Sequence, residues 1–298
     1  MSVKQDAPAM QFVALSNKTA TAKIYVRGAT LASFQTNGVE WLGTRGDAKF
    51  DGSKPNVSGG IPICFPQFGH GDALGRDIPN PDNNAYSIPV HGLARNMDWN
   101  VASSSTDAEC ILELRDTEES RAVWPHAFCL TLTVTLDETK LSWSLEVENK
   151  SQDPLEFSCG VHSYFKTLDI DAVSIRNPSL RGCTKLNRTI DPAEPMVYDS
   201  DEVRITNFTD DIYKNILPST MVLHHHEGTA ATPREERYSR PPLDIVSGGG
   251  WQDVVVWNPH GNDTLGYKSF LCVESVATKV ALAPLQTWSA TLELIPQL

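Results

Sequence analysis

The stretch FCLTLTVTLDETKLSWSLEVE, residues 128–148, decides the fold. Apolar residues occupy every second position of 128–136 and again of 141–147, with mainly Thr, Ser and Glu between them. A period of two is typical of a strand that buries one face. The four residues between the two runs, DETK, are polar and turn-forming. The stretch therefore predicts a long antiparallel hairpin.

Shorter runs of the same kind recur along the whole chain, whereas helices are scarce. The runs lie at 22–27, 30–35, 109–115, 155–165, 202–206, 253–257, 270–276, 279–283 and 288–295. The best helix candidate, residues 116–124, is short and ends before Pro125. Strands without alternating helices favour an all-β fold, a large antiparallel β-sandwich. Residues 74–87 and 227–242 are loops by composition, but strand patterns continue on both sides of each, so a single domain over 1–298 is predicted.

Charge and chain termini limit the possible partners. Lys plus Arg number 25 and Asp plus Glu number 37, a formal net charge of -12. Nucleic acid and anionic membranes need clustered positive charge, so neither is an expected partner, although a local positive pocket for a small anion stays open. The N-terminus lacks an apolar signal segment, and no run reaches the ~18 apolar residues that span a bilayer. The six cysteines form no CxxC pair and are expected to be buried free thiols, which predicts a cytoplasmic protein.

The segment FSCGVHSYF, residues 157–165, offers a candidate catalytic histidine. Strand alternation places Gly160, His162 and Tyr164 on one side. Gly160 has no side chain, which would let a ligand approach the strand beside His162. A half-buried structural histidine remains the alternative.

The segment FLCVESV, residues 270–276, offers a candidate carboxylate. Glu274 is in phase with Phe270, Cys272 and Val276, on a face that is otherwise apolar. A carboxylate there bears a desolvation cost unless it is paired or used. It is either a paired structural group, a strand edge facing solvent, or a partner of His162 in general acid–base chemistry. Sequence spacing does not establish that the two residues meet.

Three further segments carry recognisable motifs. Residues 59–68, GGIPICFPQF, predict a stiff apolar wall, and HGLAR at 91–95 brings a histidine and an arginine that suit a hydroxyl, carboxylate or phosphate ligand. A surface arginine and a turn histidine would explain HGLAR equally. In HHHE at 224–227, only His224 and His226 share a strand face, which is too few ligands for a metal site, so a solvated strand end is favoured.

Taken together, the motifs resemble those of a known family. Five segments occur in this order: GGIPICFPQFG (59–69), HGLARNMDW (91–99), SCGVHSYF (158–165), VVVWNP (254–259) and LCVES (271–275). In this the chain resembles the glucose-6-phosphate 1-epimerases, or hexose-6-phosphate mutarotases, of the aldose-1-epimerase superfamily. The resemblance covers about residues 13–294. It implies a β-sandwich enzyme, expected to be a monomer, that interconverts the anomers of a small-molecule sugar phosphate without metal or organic cofactor.

The resemblance also assigns catalytic roles. It makes His162 the general acid that protonates the ring oxygen and Glu274 the base that takes the proton of the C1 hydroxyl. The ring then opens to the aldehyde, the C1–C2 bond rotates, and closure on the other face gives the other anomer. This chemistry asks for a protonated imidazole and an ionised carboxylate at one hemiacetal.

Substrate-binding roles follow from the same resemblance. His91 is expected to hydrogen-bond the sugar, and Arg95 to bind substrate oxygens. Asp210 matches an aspartate placed three residues before a tyrosine, with Asp211 as the alternative. Gln67 is expected in the pocket, whereas Trp257 and Asn258 are expected to be structural or to form its wall.

One position departs from the family pattern. Phosphate-specific members commonly carry an arginine immediately before GGIP, where this chain has Ser58. Arg76, which lies in the longer loop before HGLAR, Lys54 or Arg95 would then have to supply the positive charge. The departure keeps two alternatives open, a mutarotase for unphosphorylated aldoses and a non-catalytic sugar-binding or regulatory protein on the same fold.

Overall fold

The computed structural model of the protein describes residues 4–5, 10–54, 56–69, 88–103, 105–190, 193–226 and 240–298. These residues form three antiparallel sheets and one short α-helix. The predicted all-β fold with large antiparallel sheets is confirmed. The predicted loop at 74–87 and most of the loop at 227–242 lie outside the described residues.

The strands are numbered along the chain. The first sheet has the order β1 (Lys4–Gln5), β2 (Gln11–Ser16), β3 (Ala20–Tyr25), β4 (Thr30–Thr36) and β5 (Val39–Glu40). The second has nine strands in the order β16 (Glu202–Arg204), β13 (Val173–Arg176), β18 (Ser219–His225), β19 (Leu243–Ser247), β22 (Thr287–Pro296), β10 (Leu141–Asn149), β9 (Phe128–Leu136), β8 (Glu109–Arg115) and β7 (Asn100–Val101). The third has eight, in the order β15 (Pro195–Val197), β14 (Thr184–Asn187), β17 (Thr209–Lys214), β20 (Asp253–Asn258), β21 (Phe270–Leu282), β11 (Leu155–Val161) and β6 (Ile63–Cys64), with β12 (Tyr164–Lys166) also paired to β21. Short 3₁₀ helices lie at Ala94–Asn96, Ile170–Ala172, Pro178–Leu180, Asp263–Leu265 and Tyr267–Ser269.

The hairpin predicted at 128–148 is present. Strands β9 and β10 pair without a break over their whole length, and their apolar positions are buried in the core. The predicted helix is α1 (Glu118–Val123), capped by Thr117, whose hydroxyl accepts from the Ser120 amide. Local patterning was sufficient for both elements because the alternation and turn of the hairpin, and the cap of the helix, each lie within one short stretch of sequence.

Other boundaries differ from the prediction. The runs 270–276 and 279–283 are one strand, β21, and the run 155–165 is two strands, β11 and β12, separated by His162 and Ser163. Strand β17 was not predicted, because four of its six residues are buried and both of its faces are covered, so the alternation disappears.

The eight-stranded sheet has two different faces. Leu271 and Val273 belong to the main core, which also contains residues of the other two sheets. Aromatic rings join the eight- and nine-stranded sheets there, with the centroids of Phe157 and Trp288 5.6 Å apart. Cys272, in alternate phase on β21, belongs to a separate small cluster on the opposite face. We refer to that opposite face as the outer face.

Strand register builds a row of side chains across the outer face. Asp210 on β17 lies opposite Trp257 on β20, and Trp257 lies opposite Cys272 on β21, which in turn lies opposite Tyr164 on β12. Directly opposed residues in antiparallel strands point to the same face. Residues more than 100 positions apart are thereby brought side by side.

Two further expectations from the sequence concern the cysteines and membrane-spanning segments. All six cysteines are free thiols, and all but Cys183 are buried. Within the described part of the chain, no helix is long and apolar enough to cross a membrane.

Candidate active site

A cavity of about 360 Å³ opens on the outer face of the eight-stranded sheet. All five motifs of the sequence analysis contribute to its lining, together with Asp210 and with two segments that were not singled out. The lining residues are Arg45, Phe68, Gly69, Val90, His91, His162, Tyr164, Arg188, Asp210, Trp257 and Glu274. His162, Glu274, His91 and Asp210 were predicted to share one site, and the structure brings them together.

His162 occupies the break between β11 and β12. Its amide donates to the carbonyl of Pro62 at 3.0 Å, so the backbone is held by the GGIP segment. Its ring stacks on Tyr164, with centroids 4.7 Å apart and planes 6° from parallel, and meets the edge of Trp257. The side chain is thus fixed against two aromatic walls with one edge turned to the cavity.

Glu274 faces His162 from the adjacent strand β21. Its Oε1 lies 3.5 Å from Nδ1 of His162, and its exposure is only 2%. Neither Nδ1 of His162 nor Oε2 of Glu274 has a hydrogen-bond partner among the described residues. Buried polar atoms without partners are rare in folded proteins, and here they belong to an acid and a base that border a cavity. The arrangement suits a ligand that completes both hydrogen-bond sets.

Burial sets the protonation of this pair. Burial raises the pKa of Glu274 well above its usual value, and this effect prevails although the charge of Arg188 lowers the pKa and that of Asp210 raises it. Burial lowers the pKa of His162 well below its usual value, and the neighbouring basic groups His91 and Arg95 act in the same direction. Both residues are therefore driven towards their neutral forms, in which Glu274 carries the proton that the pair holds.

His91 is held in an unusual backbone conformation. Its φ is +64°, in the left-handed region that favours glycine. Its Nδ1 accepts from the Gly69 amide at 3.1 Å, so the neutral ring carries its proton on Nε2. The next residue must be glycine, because φ at Gly92 is +78° and a Cβ there would lie 2.2 Å from the carbonyl oxygen of Phe65. The ring centroid of His91 lies 5.1 Å from that of His162.

The two consecutive aspartates of β17 point to opposite faces. Asp210 lines the cavity and is bonded to the Arg188 side chain, whose Nε donates to its Oδ1 at 3.0 Å. Asp211 is buried away from the cavity, where Oδ2 lies 2.7 Å from Nζ of Lys185. The structure therefore places Asp210, rather than Asp211, at the site. Arg188 was missed in the sequence because it follows the last residue of β14, an edge-side strand without clear alternation.

Gly160 makes room for an aromatic side chain, whereas the sequence suggested that it makes room for a ligand. A Cβ at this position would lie 2.4 Å from Cδ2 of Phe68. The space that glycine leaves is filled by this ring, which lines the cavity and packs edge-on against His91. The expectation that Gly160 admits a ligand is wrong, because an aromatic wall occupies that space.

Arg95 and Gln67 lie beside the cavity without appearing in its lining. Nη2 of Arg95 donates to Oδ1 of Asn56 at 2.6 Å, and its Nε is buried without a hydrogen-bond partner among the described residues. Its charge nevertheless acts on both His162 and Glu274. Gln67 is buried and donates to the Gly69 carbonyl at 3.3 Å, which makes it a support for the wall.

Ser58 brings no positive charge to the site. The sequence suggests three other residues as its source, and the structure adds a fourth. Arg76 lies outside the described residues. Lys54 is half-exposed and pairs with Asp47 at 3.0 Å. The overlooked residue is Arg45, which lines the cavity, although its short irregular segment carries no strand pattern.

Side chains of the kinds that ligate metals lie together in two regions of the structure. His224 and His226 do share a face, with ring centroids 6.4 Å apart, and Nε2 of His226 is bonded to the Ser174 hydroxyl. Among the described residues, the one group able to hold a metal comprises His162, Cys272 and Glu274, whose donor atoms lie within 4.8 Å of one another. A cation there would occupy the acid and the base themselves.

The comparison with known proteins decides the family. A model of the family described as aldose 1-epimerase matches residues 11–294. The chain belongs to the aldose 1-epimerase family. It is therefore a mutarotase, an enzyme that interconverts the two anomers of an aldose.

The individual relatives of this mutarotase have low sequence identity to it. A protein of Cenchrus ciliaris, provisionally described as a glucose-6-phosphate 1-epimerase, is 28% identical over 300 residues, 92% of this chain and 80% of the relative. A protein of Escherichia coli (strain K12) with the same description is 26% identical over 280 residues, 89% and 83% of the two chains. Two solved structures share the fold. A provisionally assigned mutarotase from Salmonella typhimurium has a TM-score of 0.76 at 24% identity, covering 98% and 92%, and a protein from Synechocystis sp. PCC 6803 has 0.78 at 20%, covering 99% and 98%.

Proposed function

We propose that this mutarotase acts on a hexose 6-phosphate, with glucose 6-phosphate as the preferred substrate, and that His162 and Glu274 are its general acid and base. The observation that carries the proposal is the 3.5 Å approach of the two side chains at a cavity, each with an unpartnered polar atom. The two oxygens of a hemiacetal are bonded to the same carbon, C1. An acid and a base that serve them must therefore lie only a few ångströms apart, as these two do.

The reaction proceeds by transfer of two protons. Glu274, as carboxylate, takes the proton of the C1 hydroxyl while His162, as imidazolium, gives its proton to the ring oxygen. The C1–O5 bond breaks and C1 becomes an aldehyde carbon. After rotation about C1–C2, the neutral imidazole takes back a proton from O5, and the Glu274 carboxyl returns one to the new C1 hydroxyl. The pair ends as it began, so one set of groups serves both directions.

Burial favours both transfers in the ring-opening direction. A carboxylate with a raised pKa is a stronger base, and an imidazolium with a lowered pKa is a stronger acid. When the sugar ring is open, Glu274 and His162 are both neutral, which is the state that burial favours. Hydrogen bonds from the cyclic sugar are needed to populate the ion pair from which opening starts.

The remaining lining residues bind the sugar. Asp210 accepts from sugar hydroxyls, held in place by Arg188, and His91 donates through Nε2. Arg95 contributes positive charge from beside the cavity. The substrate name given to the relatives and this concentration of arginine in a protein of net charge -12 both support a phosphorylated hexose. The free cysteines accord with a cytoplasmic location, where such sugars are found.

Anomer exchange followed by NMR tests this proposal. The wild-type enzyme is expected to exchange the anomers of glucose 6-phosphate with a higher kcat/KM than those of glucose. The Glu274→Gln variant provides the matched background for spontaneous exchange. Equal or better exchange of glucose would replace the phosphate assignment with that of an unphosphorylated aldose. Tight binding without exchange above background would make the protein a sugar-binding module.

A further inference from the structure

Arg45 and Ser58 are direct neighbours on two adjacent segments of chain. The Arg45 amide donates to the Ser58 carbonyl at 2.9 Å. Thr44 and Gly59 form an antiparallel bridge, and the Gly60 amide donates to the Gly43 carbonyl at 2.9 Å. In this register residue 45 is the opposing partner of residue 58.

Opposing residues of an antiparallel pair send their side chains to the same face, with Cβ atoms about 4.5–5.5 Å apart. The Arg45 side chain reaches the cavity from this position. Ser58 is small and buried, with 8% exposure, so it leaves the space beside Arg45 free of a second long side chain. An arginine at either of the two positions would start from neighbouring points and project in the same direction.

Arg45 also lies on the side of the cavity that the sixth carbon of a bound hexose must face. In the ring, O5 is bonded to C1 and to C5, and C5 carries C6. When His162 meets O5 and Glu274 meets the C1 hydroxyl, C6 lies beyond O5, on the His162 side. Arg45 is among the charges that act on His162 and Tyr164, whereas Arg188 acts on Glu274.

The local charge around Arg45 suits a dianion. Nε and Nη2 of Arg45 donate to the two oxygens of Asp47 at 2.9 and 2.8 Å, which fixes the plane of the guanidinium. Nζ of Lys54 lies 3.0 Å from the same carboxylate, so two cations share one anion and the group has an excess positive charge. Asp47 occupies one edge of the fork, and Tyr164, which lines the cavity, is a further partner, so a second anion would meet Arg45 beside Tyr164.

We propose that Arg45 binds the 6-phosphate of the substrate, from the strand position opposite Ser58, where a second arginine would project to the same face. Asp47 and Lys54 are positioning residues that orient the guanidinium and keep the group positive. The inference rests on the proposed function, because it names the residue that makes the site specific for a phosphorylated hexose.

A relocation experiment tests the inference. Specificity is measured as the ratio of kcat/KM for glucose 6-phosphate to kcat/KM for glucose. Arg45→Met is expected to lower this ratio by about 10- to 100-fold, the range that a hydrogen bond to a charged group contributes. The double variant Arg45→Ser with Ser58→Arg is expected to recover most of the ratio, because the guanidinium returns to the same face.

Arg188→Met is the matched control, since it removes an arginine from the same cavity on the Glu274 side. It is expected to reduce kcat/KM for both sugars to a similar extent and to leave the ratio within about threefold. An unchanged ratio in Arg45→Met, or a double variant as unspecific as that single variant, overturns the inference. If Arg45→Met does not fold, Arg45→Lys decides, since it retains the charge but loses the fork and must lower the ratio. A wild-type enzyme that does not favour the phosphorylated sugar refutes the proposed function instead.

Discussion

The cavity has two sides that differ in charge, and each side suits the residue it surrounds. On the His162 side stand Arg45, with Lys54 behind it, and the ring of His91. On the Glu274 side stands Asp210, neutralised by Arg188. Positive charge beside an imidazole makes it a stronger acid, whereas beside the paired charges of Asp210 and Arg188 it is burial that makes the Glu274 carboxylate a stronger base. The difference teaches that the surroundings, more than the two residues alone, prepare the site for ring opening.

Removing either central residue is the largest expected change. His162→Ala and Glu274→Gln should each lower the catalysed rate of anomer exchange by about 10²- to 10⁴-fold, the usual contribution of one general acid or base. NMR exchange rates, corrected for spontaneous mutarotation, measure this. Circular dichroism should show that both variants remain folded. A variant that exchanges anomers at the wild-type rate would remove its residue from the mechanism.

The consecutive aspartates of β17 separate binding from stability. Asp210→Asn should lower kcat/KM by about 10- to 100-fold through lost hydrogen bonds to a charged group, with little change in Tm. Asp211→Asn should leave kcat/KM nearly intact but lower the free energy of unfolding by about 1–3 kcal/mol, because Lys185 loses its buried partner. If instead Asp211→Asn lowered kcat/KM and Asp210→Asn lowered the free energy of unfolding, Asp211 would be the residue at the site.

The pH dependence of kcat/KM reports the charge on the His162 side. With glucose, which has no ionisable phosphate, activity should be lost only as the pH falls through the lowered pKa of His162, below the usual 6.5. On the alkaline side it should persist until the raised pKa of Glu274 is passed. Because the charge of Arg45 helps to lower the pKa of His162, Arg45→Met should move the acid limb to higher pH. An acid limb that stays in place would show that burial alone sets it.

The smallest effect concerns stability. Glu274 has a pKa above its unfolded value of 4.5, so stability is fully present below pH 4.5 and is lost as the pH rises towards the folded pKa. Glu274→Gln should abolish this loss. Its free energy of unfolding, relative to wild type, should therefore increase by up to about 1.4 kcal/mol per pH unit above 4.5. Denaturant unfolding at pH 4.5, 5.5 and 6.5 measures the free energy of unfolding of both proteins. A difference between the two proteins that stays constant with pH would contradict the raised pKa of Glu274.

Sequence patterning was informative where contacts are local and was silent where they are not. The hairpin at 128–148 could be predicted because its alternation and turn lie within one stretch. The meeting of His162 with Glu274 depends on the pairing of β11 and β12 with β21, over a separation that no local pattern records. Arg45 could not be found, because its place at the cavity comes from lying opposite Ser58 rather than from a pattern in its own segment.

The most direct test of the central claim is a double-mutant cycle on the acid and the base. If His162 and Glu274 act as one unit that passes protons through the sugar, removal of either disables the other. Anomer exchange in the His162→Ala/Glu274→Gln double variant should then be within about threefold of the slower single variant. Losses that multiply, so that the double variant is slower by the product of the two single effects, would contradict the shared mechanism.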